Sequence, residues 1–317
     1  TIKYRHAEGV DHVNNQAAQL AQHNDHLDRL LKMLDDEGGH EFMIGPPAPI
    51  DITEGERLAR AFAADLAAGW DLEPDDYLAH LAKVVRDADP YDRIITTNYA
   101  RPRAKWCEIV TFHEYMGMPA AGVDAYLAKE IGKFKAYGKV VQNTEFGNQG
   151  WLSNYDPIKW RIAVWTAFMN ESGILFWGMS GGKTTGRRPY RGNANAYIGP
   201  ESRQYFRVLN AFTRDMPIDM RPVASGYTEH NDLRIYALSN GAVSALYVHH
   251  FSDHKKAYQL PDPLFVQTGP GSFRVRWIDP ADGKTVRTNR ASTKGQYLSL
   301  KLPPVKIDLA CRIDRAK

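Results

Sequence analysis

Gly138-Lys-Val-Val-Gln-Asn-Thr-Glu-Phe-Gly147 decides how this chain of 317 residues is read. Residues 139–142 have the apolar character of a short buried strand. The run then passes into a polar cluster holding one carboxylate, Glu145. A carboxylate at the C-terminal end of a buried parallel strand is where a (β/α) barrel keeps its chemistry.

On either side of that stretch, short apolar segments alternate with amphipathic ones. Residues 93–97, 107–112 and 173–177 read as further strands, and 123–137, 157–169 and 200–213 as helices. Such alternation implies a parallel sheet with buried strands. Upstream, residues 25–37 carry leucines at helical spacing, 41–44 suit a short strand, and 53–68 begin with a capping box of Thr53 and Glu56. Residues 75–86 form another helix, ending before Asp89-Pro90. Past Pro217 the period changes to two. Residues 233–239, 243–250, 272–278, 297–302 and 307–313 alternate in polarity between turn signals such as Asn240-Gly241 and Asp282-Gly283. The expected architecture is therefore α/β: a TIM-type (β/α) barrel, incomplete or trimmed, over residues 1–217, followed by a small antiparallel β-sandwich over 218–317.

Composition narrows the function classes. A hydrophobic content of 43% and a charged content of 24% are those of a globular protein. The net charge of +3 is spread along the chain without a Lys/Arg block, which gives no support to a nucleic-acid or anionic-membrane role. No apolar run reaches the length of a membrane span. Cys107 and Cys311 fall in strand-like segments and read as buried small hydrophobes rather than a bridge. No Cys/His spacing suggests zinc, and His249, His250 and His254 near Asp253 read as surface residues at a strand-to-turn junction, so no metal is expected.

The polar residues gather at strand ends. Thr97-Asn98-Tyr99, His113-Glu114-Tyr115 and Asn143-Thr144-Glu145 each follow or close a strand, and Trp177 closes the last one. Core packing absorbs most of the aromatic residues, Trp160 and Trp165 among them. Tyr99, Tyr115, Trp151 and Trp177 instead fall in loops after strands, where an aromatic face can stack on the apolar side of a sugar ring. A basic, Gly-rich loop with Lys183, Arg187, Arg188 and Arg191 could contact an acidic sugar through guanidinium groups.

In this order, the motifs resemble the C-terminal part of a clan A retaining glycoside hydrolase, over about residues 10–215. Glu145 in Asn-Thr-Glu-Phe-Gly is similar to the nucleophile of that family's seventh strand. His113-Glu-Tyr115 resembles its sixth-strand motif, in which the tyrosine orients the nucleophile, and Trp177 the tryptophan beneath the sugar. The resemblance implies hydrolysis of a polysaccharide or oligosaccharide by two carboxyl groups about 5–5.5 Å apart. Glu145 would be the nucleophile, and Asn98, Tyr99, His113, Tyr115, Asn143, Trp151 and Trp177 would line the substrate. It implies no cofactor, and a polysaccharide-degrading enzyme. Residues 1–15 are polar and not a signal peptide, so either the protein is cytoplasmic or a leader has been removed, and a secreted or periplasmic setting is the one expected.

One family feature is missing. The acid/base glutamate should close the fourth strand in an Asn-Glu pair, but that interval holds only Asp71-Leu72-Glu73-Pro74. The one Asn-Glu pair in the chain, Asn170-Glu171, precedes the last barrel strand and reads as a turn. Two further readings follow from this gap. One is a carbohydrate-binding pseudoenzyme without a proton donor. The other is a chain whose missing strands come from a homo-oligomer or a partner segment.

Overall fold

In the computed structural model, described for residues 74–114, 117–146, 156–176, 200–224 and 232–316, the β/α alternation and the antiparallel strands both form. All of these residues belong to one unit, Leu72–Lys317. The segments 25–37, 41–44 and 53–68 lie outside the described residues, as do Tyr115, Trp151, Trp177 and the loop with Lys183 and Arg187.

The first described element is helix α1, Pro74–Ala88, which opens on a proline with Asp75 and Asp76 in its first turn. A proline loses no hydrogen bond there, and acidic residues suit the positive end of the helix dipole. Three parallel strands follow: β1 (Ile109–Glu114), β2 (Val140–Phe146) and β3 (Ser172–Phe176), in the order β1-β2-β3. They are joined by α2 (Ala120–Lys135) and α3 (Pro157–Met169), and α4 (Pro200–Thr213) comes after β3. Along α2, Val123, Leu127, Ile131 and Phe134 recur at helical spacing. They pack with Val110, Phe112, Val141 and Phe146 of the sheet.

Helix α3 is apolar all round, with Trp160, Ile162, Ala163, Val164 and Trp165 all buried. A helix of that kind has protein on every side. On one side the Trp160 ring meets Phe146 edge-on at 4.6 Å. On the other, Trp165 stacks on Tyr247 at 5.7 Å and meets Phe212 edge-on at 4.9 Å.

The C-terminal region is a six-stranded antiparallel sheet facing a two-stranded one. The large sheet runs β4 (Arg221–Pro222), β5 (Leu233–Ser239), β6 (Val243–His250), β11 (Asp308–Arg315), β8 (Gly271–Ile278) and β9 (Thr285–Thr293). The small sheet pairs β7 (Leu264–Gln267) with β10 (Tyr297–Leu300). Ile235, Val248, Val275, Trp277, Cys311 and Ile313 of the large sheet pack on Leu264, Val266, Leu298 and Leu300 of the small one. The opposite face, through Leu238, Ala245, Tyr247, Ile278 and Ala310, packs on Trp165, Met169, Val208 and Phe212 of α3 and α4. Strand β6 is therefore buried along nearly its whole length, not on alternate residues as period two would suggest.

Two buried polar clusters hold the helices to this sheet. Arg161 of α3 donates to Asp308 of β11 at 2.9 Å, and the Tyr247 hydroxyl donates to the same carboxylate at 3.0 Å. Asp124 of α2, fully buried, faces Arg234, the Tyr236 hydroxyl at 3.1 Å and His249 Nδ1 at 2.9 Å. Burial by itself would raise the Asp124 carboxyl. The His249 ring and the Arg234 guanidinium outweigh it and hold the group below the usual carboxylate range.

Three readings of the sequence need correcting. Residues 93–97 form no ladder strand. They lie extended beside β1, held by Glu108 N–H to Ile95 O at 2.9 Å, by the Thr96 hydroxyl to Ile109 O at 2.6 Å, and by Thr111 to Thr97 O. Side chains have taken over bonds that a ladder would make. His249 and His250 are buried, not on the surface, because both faces of β6 are covered. Strand β2 runs on to Phe146, so Asn143, Thr144 and Glu145 lie within the strand rather than in a loop after it. Period and turn signals mark no strand at β4, β7 or β9: β4 has only two residues, β7 only four, and β9 is polar along most of its length.

Candidate functional site

Adjacent β1 and β2 residues pair as Val110↔Val141, Thr111↔Gln142, Phe112↔Asn143 and then His113↔Glu145, so Thr144 is an extra residue in β2. Paired residues on neighbouring strands point to the same side of a sheet. Val110, Val141, Phe112 and Phe146 face the helices. His113 and Glu145 therefore share the other face, the one that lines the interior of a barrel. Without the extra residue, Glu145 would point into the helix layer. This is what a bulge does: it re-aims one side chain beside a site.

The bulge has a local cause. Asn143 is fully buried, and its Oδ1 accepts the Glu145 backbone N–H at 3.1 Å. A side-chain amide bonded two residues on is a turn-forming contact. It bends β2 where the register shifts. The Asn143 Nδ2 has no hydrogen-bond partner among the described residues.

His113 Nδ1 lies 3.4 Å from Glu145 Oε2, and each side chain is 15% exposed. The pair is thus shielded yet reachable. Tyr99 stands beside it, largely exposed, its ring 6.1 Å from that of His113 and tilted by 32°. Asn98 is exposed next to Tyr99. Five of the expected site residues are described: Tyr99, His113 and Glu145 meet, whereas Asn143 pairs with Phe112 on the helix side and touches the site only through its bond to the Glu145 N–H. Asn98 adjoins them in sequence. Tyr115, Trp151 and Trp177 lie outside the described residues.

The neighbouring carboxylate, Glu114, follows the alternation of β1 to the helix side. There the Tyr126 hydroxyl donates to its Oε2 at 2.9 Å. That bond, with some burial, pushes the Tyr126 phenol up to about 12. Glu114 thus serves the sheet–helix contact. Glu171 sits in the left-handed region before β3, with φ 53°, and is ion-paired to Lys135 and Arg221. The Asn170-Glu171 pair is thereby a turn, as its sequence setting implies.

The interior face also carries Gln142 and Gly173. A β-carbon at Gly173 would meet the Gln142 Cγ at 3.1 Å, so the glycine leaves room for that amide. Val140 and Leu175 on the same face are exposed apolar groups. Among the described residues the parallel sheet has three strands, too few to fill a barrel interior with their own side chains. Among the described residues no cluster of three His, Cys, Asp or Glu side chains could hold a metal ion, and no helix is long and apolar enough to cross a membrane.

Neither a protein-family model nor a curated protein matches this chain. Solved structures match its fold. With a glycoside hydrolase family 5 protein from Bacteroides vulgatus ATCC 8482 it shares 14% identity, over 75% of this chain and 58% of that one, at a TM-score of 0.52. With another glycoside hydrolase it shares 12% identity, over 76% of this chain and 61% of that one, at a TM-score of 0.50. The chain thus spans 58% and 61% of the length of these two structures. At such identities the likeness is one of fold, and the fold of this chain resembles that of glycoside hydrolases.

Proposed function

We propose that this protein is a glycoside hydrolase that cleaves a polysaccharide or oligosaccharide by a retaining mechanism, with Glu145 as nucleophile. The observation that carries the reading is the bulged register of β1 and β2. It turns a shielded carboxylate onto the interior face beside a histidine, at the C-terminal ends of parallel strands. A parallel α/β sheet uses that end for chemistry. The fold likeness to glycoside hydrolases supports the same class.

In this mechanism an oxygen of Glu145 attacks the anomeric carbon as the bond to the leaving oxygen breaks and that oxygen takes a proton from a second carboxyl group, giving a covalent glycosyl ester. Water, giving a proton back to that second carboxylate, then releases the sugar with its original anomeric configuration and frees Glu145. His113, 3.4 Å away, restrains the Glu145 carboxylate. Tyr99 offers an exposed ring face to a sugar. Tyr115, Trp151 and Trp177 are assigned to the same subsite, and Asn98 to its rim. Asn143, proposed from its sequence as a substrate contact, acts through Glu145. We also retain the division into a catalytic-type region, 1–217, and a sandwich, 218–317, and a secreted or periplasmic setting.

A second reading rests on Glu114 and Glu171. Glu171, of the chain's one Asn-Glu pair, is committed to Lys135 and Arg221, and Glu114, the carboxylate next to His113, accepts from Tyr126 on the helix side. A carbohydrate-binding relative without a proton donor would look the same around Glu145. Incubation with a panel of plant and algal polysaccharides separates the two: released reducing sugar, lost in Glu145→Gln, supports the hydrolase. Binding without product supports the pseudoenzyme.

A further inference from the structure

Strand β8 lies inside the large sheet, yet the face it shows beyond α4 carries two arginines that the fold does not use. Arg274 and Arg276 alternate with Phe273, Val275 and Trp277, which fill the sandwich core, so both point to the opposite face. The register places Arg290 of β9 directly across from Arg274, and Arg312 of β11 directly across from Arg276. Like charges directly opposed in an antiparallel pair destabilise it. Arg312 is accounted for: it donates to Asp314 at 2.8 Å and to the carbonyl of Arg214 at 2.8 Å, at the end of α4. Asp314, the carboxylate across from Arg274, is thereby engaged with Arg312. Arg274, Arg276 and Arg290 have no ion pair or hydrogen bond to a side chain among the described residues. Arg274 and Arg290 are exposed, and Arg276 is half-buried.

Charged residues on an edge strand can guard it against pairing with another chain. That explains Arg290 on β9. It does not explain Arg274 and Arg276 on an interior strand. We infer that this triad on the sandwich face is a binding surface for an anionic polysaccharide, one bearing carboxylate or sulfate groups. Guanidinium groups pair with such oxyanions in planar, two-pronged fashion. On a sheet the side chains stand about 7 Å apart along β8 and about 5 Å apart across the β8–β9 pair. Such spacing can meet anionic groups repeated along an extended polymer. Ser272, Thr288 and Ser292 complete the face with hydroxyls that suit sugar hydroxyls. The face carries no aromatic side chain on β8 or β9 on which bases could stack, which favours a glycan over single-stranded nucleic acid. The choice of a glycan rests on the hydrolase reading; the binding surface itself does not.

Affinity electrophoresis of the whole chain in native gels tests the inference. The gels contain polygalacturonate, dextran sulfate or neutral dextran. The wild type should be retarded by both polyanions and not by dextran, less so as salt rises. Replacing Arg274, Arg276 and Arg290 together by Gln should weaken this about tenfold or more. Arg290→Glu serves as the folding control: it replaces a repulsive cross-strand pair by an attractive one, so it should raise the melting temperature while weakening retention. Failure of the wild type to be retarded, or unchanged retention of the triple variant, would overturn the proposal. So would equally tight binding of a DNA oligonucleotide of matched charge. Glu145→Gln should be retarded like the wild type. Binding without hydrolysis would then refute only the hydrolase, and hydrolysis without binding only this surface.

Discussion

His113 and Glu145 face each other across two parallel strands, Nδ1 to Oε2 at 3.4 Å, because β2 contains one residue more than β1 between matched positions. The contact depends on the register as well as on the two side chains. His113→Asn keeps a nitrogen near the Nδ1 position and should retain partial activity. His113→Ala, which leaves the carboxylate unrestrained, should lower kcat about 10- to 100-fold with a smaller change in KM. Equal activities for the two variants would count against an orienting role.

The register in turn depends on Asn143. Asn143→Ala removes the acceptor for the Glu145 N–H and should cost about 1–2 kcal/mol of stability. It should also lower activity about 10- to 100-fold, through a misplaced carboxylate. Asn143→Ser retains a weaker acceptor of the same kind and should fall between wild type and Ala. A chemical denaturation series run beside kcat measurements checks both effects. A variant that is destabilised yet fully active would remove Asn143 from the site.

Acid should loosen the contact between α2 and the sandwich sheet. His249 Nε2 lies 3.0 Å from His254 Nε2, so one ring must donate and the other accept. Burial, reinforced by His249 and His250, holds His254 below the usual histidine value, against Asp308 and Asp156, which raise it. Asp124, Arg234 and Tyr236 face His249 from the other side. A group whose folded pKa is depressed binds fewer protons folded than unfolded. Its contribution is therefore complete above about 6.5 and declines as pH falls from there towards the lowered folded value. Asp124, also held low, adds a second loss below about 3.8. The melting temperature should drop between neutral pH and pH 5, and His254→Gln should flatten that drop. An unchanged slope in the variant would exclude His254 as its source.

Arg161 and Asp308 are both buried, and their pair ties α3 to β11. Asp308→Ala leaves a buried guanidinium without its carboxylate and should cost about 3–5 kcal/mol. Arg161→Met together with Asp308→Leu removes both charges and should cost less than Asp308→Ala. Urea midpoints of the two variants give the comparison. The opposite ranking would mean that the cluster stabilises through the charges themselves.

The regular elements were legible where hydrophobic period and turn chemistry agreed. Residues 157–169, bounded by Asp156-Pro157 and Asn170, form α3 with those limits, and β5 and β6 keep theirs. The segment 93–97 reads as a ladder strand because Ile95, Thr96 and Thr97 have strand character, while Glu108 and Thr111 bond to it through side chains that no period records. His249 and His250 misled for another reason. Their partners, Asp124, His254 and Lys306 O, lie on distant elements or across a turn, and only tertiary packing brings them together. At the site, the grouping of His113 with Glu145 was readable from strand ends. The bulge that makes it geometrically possible was not, because Asn143-Thr144 reads equally well as a turn.

The central claim is that Glu145 attacks an anomeric carbon. A 2-deoxy-2-fluoroglycosyl fluoride tests it directly, since its leaving group departs without a proton donor and the ester it forms is slow to hydrolyse. Intact-mass measurement after incubation with the glucosyl, galactosyl and xylosyl forms should show one added fluoroglycosyl unit with at least one of them. Peptide mapping should place that unit on Glu145, and Glu145→Gln should show none. Labelling of a different carboxylate, or no labelling by any of the three sugars in a chain that hydrolyses polysaccharide, would contradict the account.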